Sequence, residues 1–177
     1  MPLDRRRFLA SALAASAMPL LGTLPRPALA RAVPAAGPLP GLYRFKVGAF
    51  EVTSINDGML TLALDQFPAA DRAGAEAMLQ RAFQPPAAIP TAVNAYLVNT
   101  GDRLVLIDTG TATAMGPSLG EVGANLKAAV IYPADIDLVV LTHMHPDHAN
   151  GLVDPAGAAV FGKAHLAVAE AEYGFWT

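Results

Sequence analysis

The stretch His143-Met144-His145-Pro146-Asp147-His148 gathers three of the chain's four histidines and an aspartate into a His-x-His-x-Asp-His pattern. It lies just behind the apolar run Leu138-Val139-Val140-Leu141. No other feature narrows the fold as much. A short continuous apolar run reads as a buried strand, and Thr142 marks its exit. His143 and His145 are two positions apart, so in an extended segment their imidazoles project to one side and can share one ion. Asp147 and His148 follow at once and can turn toward a second ion. Imidazole nitrogen and carboxylate oxygen are ligands that Zn²⁺ accepts in hydrolytic sites, and a chain without cysteine offers no competing thiolate. Few protein ligands per ion also leave a position for water. Pro146 stiffens the loop, and Gly151 permits a close turn after it. In α/β folds, chemistry gathers where a loop leaves the carboxyl end of a buried strand. The alternative is an accidental cluster in a solvated loop, and the scarcity of histidine elsewhere argues against it.

The rest of the chain mixes strands with helices, which supports an α/β class, and shows no internal repeat. Tyr43 to Val47 and Phe50 to Ile55 read as strands, with Asn56-Asp57-Gly58 as a hairpin turn into a strand from Met59 to Leu64. Asp71 is placed to cap a helix reaching Phe83, with Ala75, Met78, Leu79, Ala82 and Phe83 on one face and Pro85-Pro86 ending it. Ala92 to Asn99 and Arg103 to Ile107 read as a second hairpin around Gly101-Asp102. Ser118 and Glu121 form a capping-box pattern for a helix to about Val130, its inner face being Leu119, Val122, Leu126 and Ala129. His165 falls in the apolar stretch Ala164 to Val168, a strand in which it reads as a structural or surface histidine.

The N-terminus has a separate grammar. Asp4-Arg5-Arg6-Arg7-Phe8-Leu9-Ala10 precedes a mildly apolar, alanine-rich stretch and then Pro25-Arg26-Pro27-Ala28-Leu29-Ala30. A basic start, a short apolar core and an Ala-x-Ala site make a secretory signal cleaved after Ala30. Adjacent arginines before x-Phe-Leu resemble a twin-arginine export signal. The apolar core is shorter than the ~20 residues a spanning helix needs, so no stable membrane span is expected. The predicted organisation is a signal peptide at 1–30, a flexible linker at 31–40 rich in Pro, Ala and Gly, and one domain at 41–177, exported to the periplasm or secreted. An exported domain without cysteine needs no disulfide, and bound ions would cross-link it instead. Setting aside Arg5, Arg6, Arg7, Arg26 and Asp4 leaves eight Lys and Arg against fourteen Asp and Glu, a net of −6. With no basic stripe, a nucleic-acid substrate is disfavoured and a small molecule is the expected partner; a homodimer stays open.

Thr142 to His148, followed by Gly151-Leu152, resembles the signature of the metallo-β-lactamase superfamily, and Leu104 to Ile107 with Asp108-Thr109-Gly110 matches its strand and Asp-Thr-Gly loop. Gly41 to Arg44, Phe50 to Thr53, Asp57-Gly58, Tyr96 to Gly101, Gly116 to Gly120 and Asn125 to Lys127 are similar to methyl parathion hydrolase and related secreted hydrolases. The resemblance runs from about Gly41 to the C-terminus.

It implies a four-layer αββα sandwich holding two metal ions, usually zinc, with a metal-bridging hydroxide as nucleophile. By position, His143 and His145 would bind one ion and Asp147 and His148 the other. Asp108 would hydrogen-bond the ligands from behind. Asp147 would also lie beside the hydroxide, where a catalytic role, orienting it or shuttling a proton, competes with a ligand role alone, and the ligand role is favoured. The family uses a further histidine, a bridging aspartate and a final histidine downstream. This chain stops at Thr177, and His165 does not replace them, so the expectation is an N-terminal part of a sandwich, truncated after the first metal-binding motif, that binds metal weakly and turns nothing over.

Ester, lactone and phosphotriester substrates all fit. Trp176 falls where the methyl parathion hydrolase-like proteins carry a pocket aromatic. Met115 stands where an aromatic is usual there, and Asn150 where a glycine is usual. The Met115 departure argues against organophosphates. Two other classes compete: an iron-dependent oxidoreductase of the same superfamily, and a non-catalytic exported metal-binding protein. The branch that reduces dioxygen has glutamate where this chain has His145.

Overall fold

Residues 40–67, 71–86 and 88–177 are described by a computed structural model. The expected signal peptide and all of the linker except Pro40 lie outside these residues. Leu42–Val47 (β1), Phe50–Ala63 (β2), Ala88–Asn99 (β3) and Leu104–Ile107 (β4) pair as successive antiparallel neighbours. Leu138–Val140 (β5) joins β4 in parallel, and His165–Ala167 (β6) joins β5 in parallel. The result is one six-stranded mixed sheet in sequence order. Parallel pairing demands a crossover. That from β4 to β5 carries Val122–Ala128 (α2), and that from β5 to β6 carries the short Pro146–Ala149 (α3). Arg72–Arg81 (α1) lies between β2 and β3, and Glu170–Trp176 (α4) follows β6. This is the expected α/β class, with one sheet, where the sandwich would have two, among the described residues.

Period-two alternation decides which face is covered. Thr53, Ile55 and Asp57 on β2, Val93, Ala95 and Leu97 on β3, Leu106 on β4 and Val139 on β5 are all buried. Val122 and Leu126 of α2 pack onto that face with Ile136, Leu141 and Phe161. Each such Leu, Ile or Val side chain contributes roughly 1.5–3 kcal/mol by leaving water. The strand Leu138–Val140 is thus pinned by its central Val139, and the residues after it emerge at a fixed place at the carboxyl end of the parallel strands.

Three local expectations change. Asn56-Asp57-Gly58 is not a hairpin turn: β2 runs through it as one 14-residue strand with a β-bulge between Asn56 and Gly58. Gly58 sits at φ 131°, where a Cβ would strike the Ser118 backbone, and the bulge turns Asp57 into the interior. The helix expected from the Ser118–Glu121 box begins only at Val122 and ends at Ala128. Ser118 Oγ instead donates to the Met59 carbonyl at 2.9 Å, and the Val122 N–H donates to Asp57 Oδ1 at 3.0 Å, so the cap comes from a neighbouring strand. Asp71 occupies the N-cap position of α1 without a side-chain capping bond, and the supposed inner face is open, with Met78 63% and Phe83 97% exposed. The second hairpin forms as read, closed by a Thr100 N–H to Arg103 carbonyl bond of 3.0 Å with Gly101 at φ 95°.

Candidate metal centre

Two loops meet at the carboxyl ends of the parallel strands β4 and β5. Asp108 ends β4 with its N–H on the Val140 carbonyl (2.9 Å), and it holds φ 60°, the left-handed region that an aspartate tolerates at a cost. The strain persists because the surroundings fix both carboxylate oxygens. Oδ1 accepts the Thr142 N–H at 2.8 Å; Oδ2 accepts the Thr142 hydroxyl at 2.8 Å and faces His148 Nδ1 at 2.8 Å. Thr109 adds a clamp, its N–H and hydroxyl both donating to the His148 carbonyl at 2.8 and 2.9 Å. Gly151 N–H reaches the Gly110 carbonyl at 3.1 Å, and a Cβ there would run into the Thr109 carbonyl oxygen. The close turn expected of Gly151 is therefore what lets the loops touch.

This network fixes where the imidazole protons sit. The Thr142 hydroxyl has one proton, and Asp108 takes it. At 3.1 Å from that same oxygen, His143 Nδ1 must then be the donor. His148 Nδ1–H likewise donates to Asp108. In its neutral form each ring then carries its proton on Nδ1 and presents a bare Nε2 lone pair, the form a metal ligand needs. Asp108 is buried and His148 partly so, with side chains 7% and 22% exposed.

The rings crowd together. His143 and His145 have centroids 4.6 Å apart, and His143 and His148 4.0 Å. His148 Nε2 lies 3.2 Å from Asp147 Oδ2. That spacing is an ion-pair contact when the imidazole is protonated and a ligand-to-ligand spacing when it is neutral. Tetrahedral zinc with bonds of about 2.0–2.1 Å separates neighbouring donors by roughly 3.3 Å, so this pair suits an ion. Among the described residues no three His, Cys, Asp or Glu side chains are already arranged to hold one ion. The imidazoles pack against one another rather than fan around a point, and binding requires them to turn apart.

Trp176 edges against His145 at 5.7 Å between centroids and 90° between planes, beside the cluster. Met115 is 41% exposed in the loop after Gly110. His165 pairs with Leu138 at the amino end of β5, opposite to the metal loop, so the surface reading fits its place.

Three residues were missed by sequence reading: Asp57, whose carboxylate holds Thr111 and Val122; Thr142, which links His143 to Asp108; and Glu172 on α4. The Glu172 carboxylate accepts the Met144 N–H at 3.0 Å and the Trp176 indole N–H at 3.2 Å. The Met144 bond holds its carboxyl below the ordinary value; desolvation opposes this, and Trp176, His143 and His145 assist. Thr142 carried a signal in its position between strand and motif, and Asp57 in the resemblance of Asp57-Gly58, but neither showed its partner.

Fold and site together define a mixed-sheet α/β protein with a histidine–aspartate cluster at the carboxyl end of a parallel strand. Residues 88–174 match the family model of the metallo-beta-lactamase superfamily. AidC, a dizinc quorum-quenching lactonase solved in complex with a product, is 30% identical with a TM-score of 0.73, covering 78% of this chain and 48% of that one. The hydrolase AbOPH of the beta lactamase superfamily is 34% identical with a TM-score of 0.73, covering 79% of this chain and 48% of that one. The chain belongs to the metallo-β-lactamase superfamily. It spans about half the length of these solved relatives.

Proposed function

We propose that this chain carries part of the metal centre of a metal-dependent hydrolase acting on a small ester, lactone or phosphotriester. The observation behind this reading is the shared Asp108 network, which frees the Nε2 atoms of His143 and His148 beside Asp147. In this reading His143 and His145 serve one divalent ion, and Asp147 and His148 the other. Zinc is favoured by the donor set and by the two zinc ions of AidC. When bound, such ions bring the pKa of water toward neutrality, supply hydroxide and polarise a carbonyl or phosphoryl oxygen.

The chain's own residues do the positioning. Asp108 holds the His148 ring directly and the His143 ring through Thr142, so neither can flip its tautomer. Asp147 acts chiefly as a ligand, and its second oxygen can accept a proton at the reacting edge. Trp176 supplies an apolar wall next to His145. The net acidic character of the chain beyond Ala30 turns away polyanions and suits a neutral substrate. Among the described residues no helix is long and apolar enough to cross a membrane. Export by the twin-arginine-type signal at 1–30, the linker at 31–40 and the domain from residue 41 complete the proposal.

The test is to load the full-length native product, of which this chain carries the first part of the metal centre, with zinc and assay an aryl ester, an acyl lactone and a phosphotriester. Hydrolysis of one of them, reversed by chelation and lost in Asp147→Ala, is the expected result. A folded, zinc-loaded product that hydrolyses none would overturn it, and turnover only with iron, coupled to oxidation of the substrate, would replace hydrolase with oxidoreductase.

A further inference from the structure

Glu172 does something for the metal loop that its own helix does not require. An acidic residue in the first turn of a helix ordinarily serves that helix's free N–H groups. Here one oxygen, Oε2, is turned away to the Met144 N–H at 3.0 Å and to Trp176 Nε1 at 3.2 Å. Met144 is the residue between His143 and His145, so its peptide plane helps set the direction in which both imidazoles project. Trp176, one helical turn after Glu172, presents its ring edge-on to His145. One carboxylate oxygen thus fixes the backbone between two ligands and the ring flanking the second.

From this geometry we infer that Glu172 is a positioning residue of the metal centre: it holds the backbone between His143 and His145, and Trp176, in place, so that only the imidazoles turn when an ion binds. The inference rests on the metal-centre reading above. Its physical content is preorganisation, since a loop already held in register loses less freedom on binding.

Three readouts test it on wild type, Glu172→Ala and Glu172→Gln. They are amide exchange at Met144, emission of Trp176 (the one tryptophan of the chain), and zinc affinity by competition with a chromophoric chelator. Glutamine keeps a carbonyl oxygen able to accept both bonds. The expected pattern in Glu172→Ala is loss of Met144 protection, a red-shifted Trp176 emission and roughly tenfold weaker zinc binding, the lower end of what outlying partners of ligands supply. Glu172→Gln should restore protection and bring affinity back to within about threefold.

Unprotected Met144 with unchanged zinc affinity would overturn the inference, because the contact would then be structural only. Glutamine behaving like alanine would also overturn it. Should Glu172→Ala fail to fold, Glu172→Asp replaces it; the carboxylate, one methylene short, should weaken binding where Gln does not. Failure of the wild type to bind zinc at all would show first, overturning the metal reading and this role together.

Discussion

Replacing Asp57 by alanine probes the joint on which the site stands. Its side chain is fully buried; Oδ2 accepts the Thr111 N–H at 2.9 Å and the Thr111 hydroxyl at 2.8 Å, and Oδ1 accepts the Val122 N–H at 3.0 Å. Removing the carboxylate strands three donors in the interior. Each hydrogen bond to a charged group is worth about 1.5–3 kcal/mol, but burying the carboxylate itself has a desolvation cost that alanine removes. The net expected loss is about 3–5 kcal/mol, as for other broken buried charge networks. Asparagine can keep its carbonyl on the two Thr111 donors, which sets its amide against the Val122 N–H, so about 2 kcal/mol is expected. Urea unfolding at neutral pH, followed by circular dichroism and Trp176 fluorescence, measures both, with an unchanged m-value as the sign of a stability effect. Asp102→Ala in the exposed turn serves as control and should stay within about 0.5 kcal/mol. A loss under about 1 kcal/mol for Asp57→Ala, or an asparagine as costly as alanine, would refute the reasoning.

Asp108→Ala removes the acceptor that fixes the His143 and His148 tautomers, and zinc affinity by chelator competition should fall about 10–100-fold; an unchanged value contradicts the proton assignment. Gly151→Ala drives a Cβ into the Thr109 carbonyl and should cost about 1–3 kcal/mol in urea unfolding, with wild-type stability showing that the loops are not in contact as described. Glu172 has a lowered folded pKa, so its stabilisation exists above the ordinary glutamate range and is lost as pH falls through the depressed value. The stability difference between wild type and Glu172→Ala should therefore shrink on acidification, and a difference that grows would have the wrong sign.

What was legible in the sequence was local. The run Leu138 to Leu141 reported a strand because its apolar side chains need cover, Val139 and Leu141 fully and Leu138 and Val140 in part, and the two-residue spacing of His143 and His145 needed only an extended backbone. The Gly101-Asp102 hairpin was readable for the same reason. Asp57 was not. Asn-Asp-Gly has the same turn chemistry whether it closes a hairpin or makes a bulge, and the decision lies with Thr111 and Val122, 54 and 65 residues away. The same distant contact overrode the Ser118 capping pattern. Glu172 was equally hidden, since its partner Met144 is 28 residues off and nothing in Glu-Ala-Glu-Tyr indicates which way a carboxylate turns. The apolar stripe of α1 was visible as periodicity, but periodicity does not say what covers it, and Phe83 stands open.

The most direct measurement is a Co²⁺ titration, read by visible absorption, of the wild type against a variant with His143, His145 and His148 all changed to alanine. Ligand-field bands of nitrogen and oxygen coordination that grow in the wild type, are displaced by zinc and are absent from the variant are the expected result. Bands of equal strength in both proteins, or none in a folded wild type, would contradict a metal centre built on this loop.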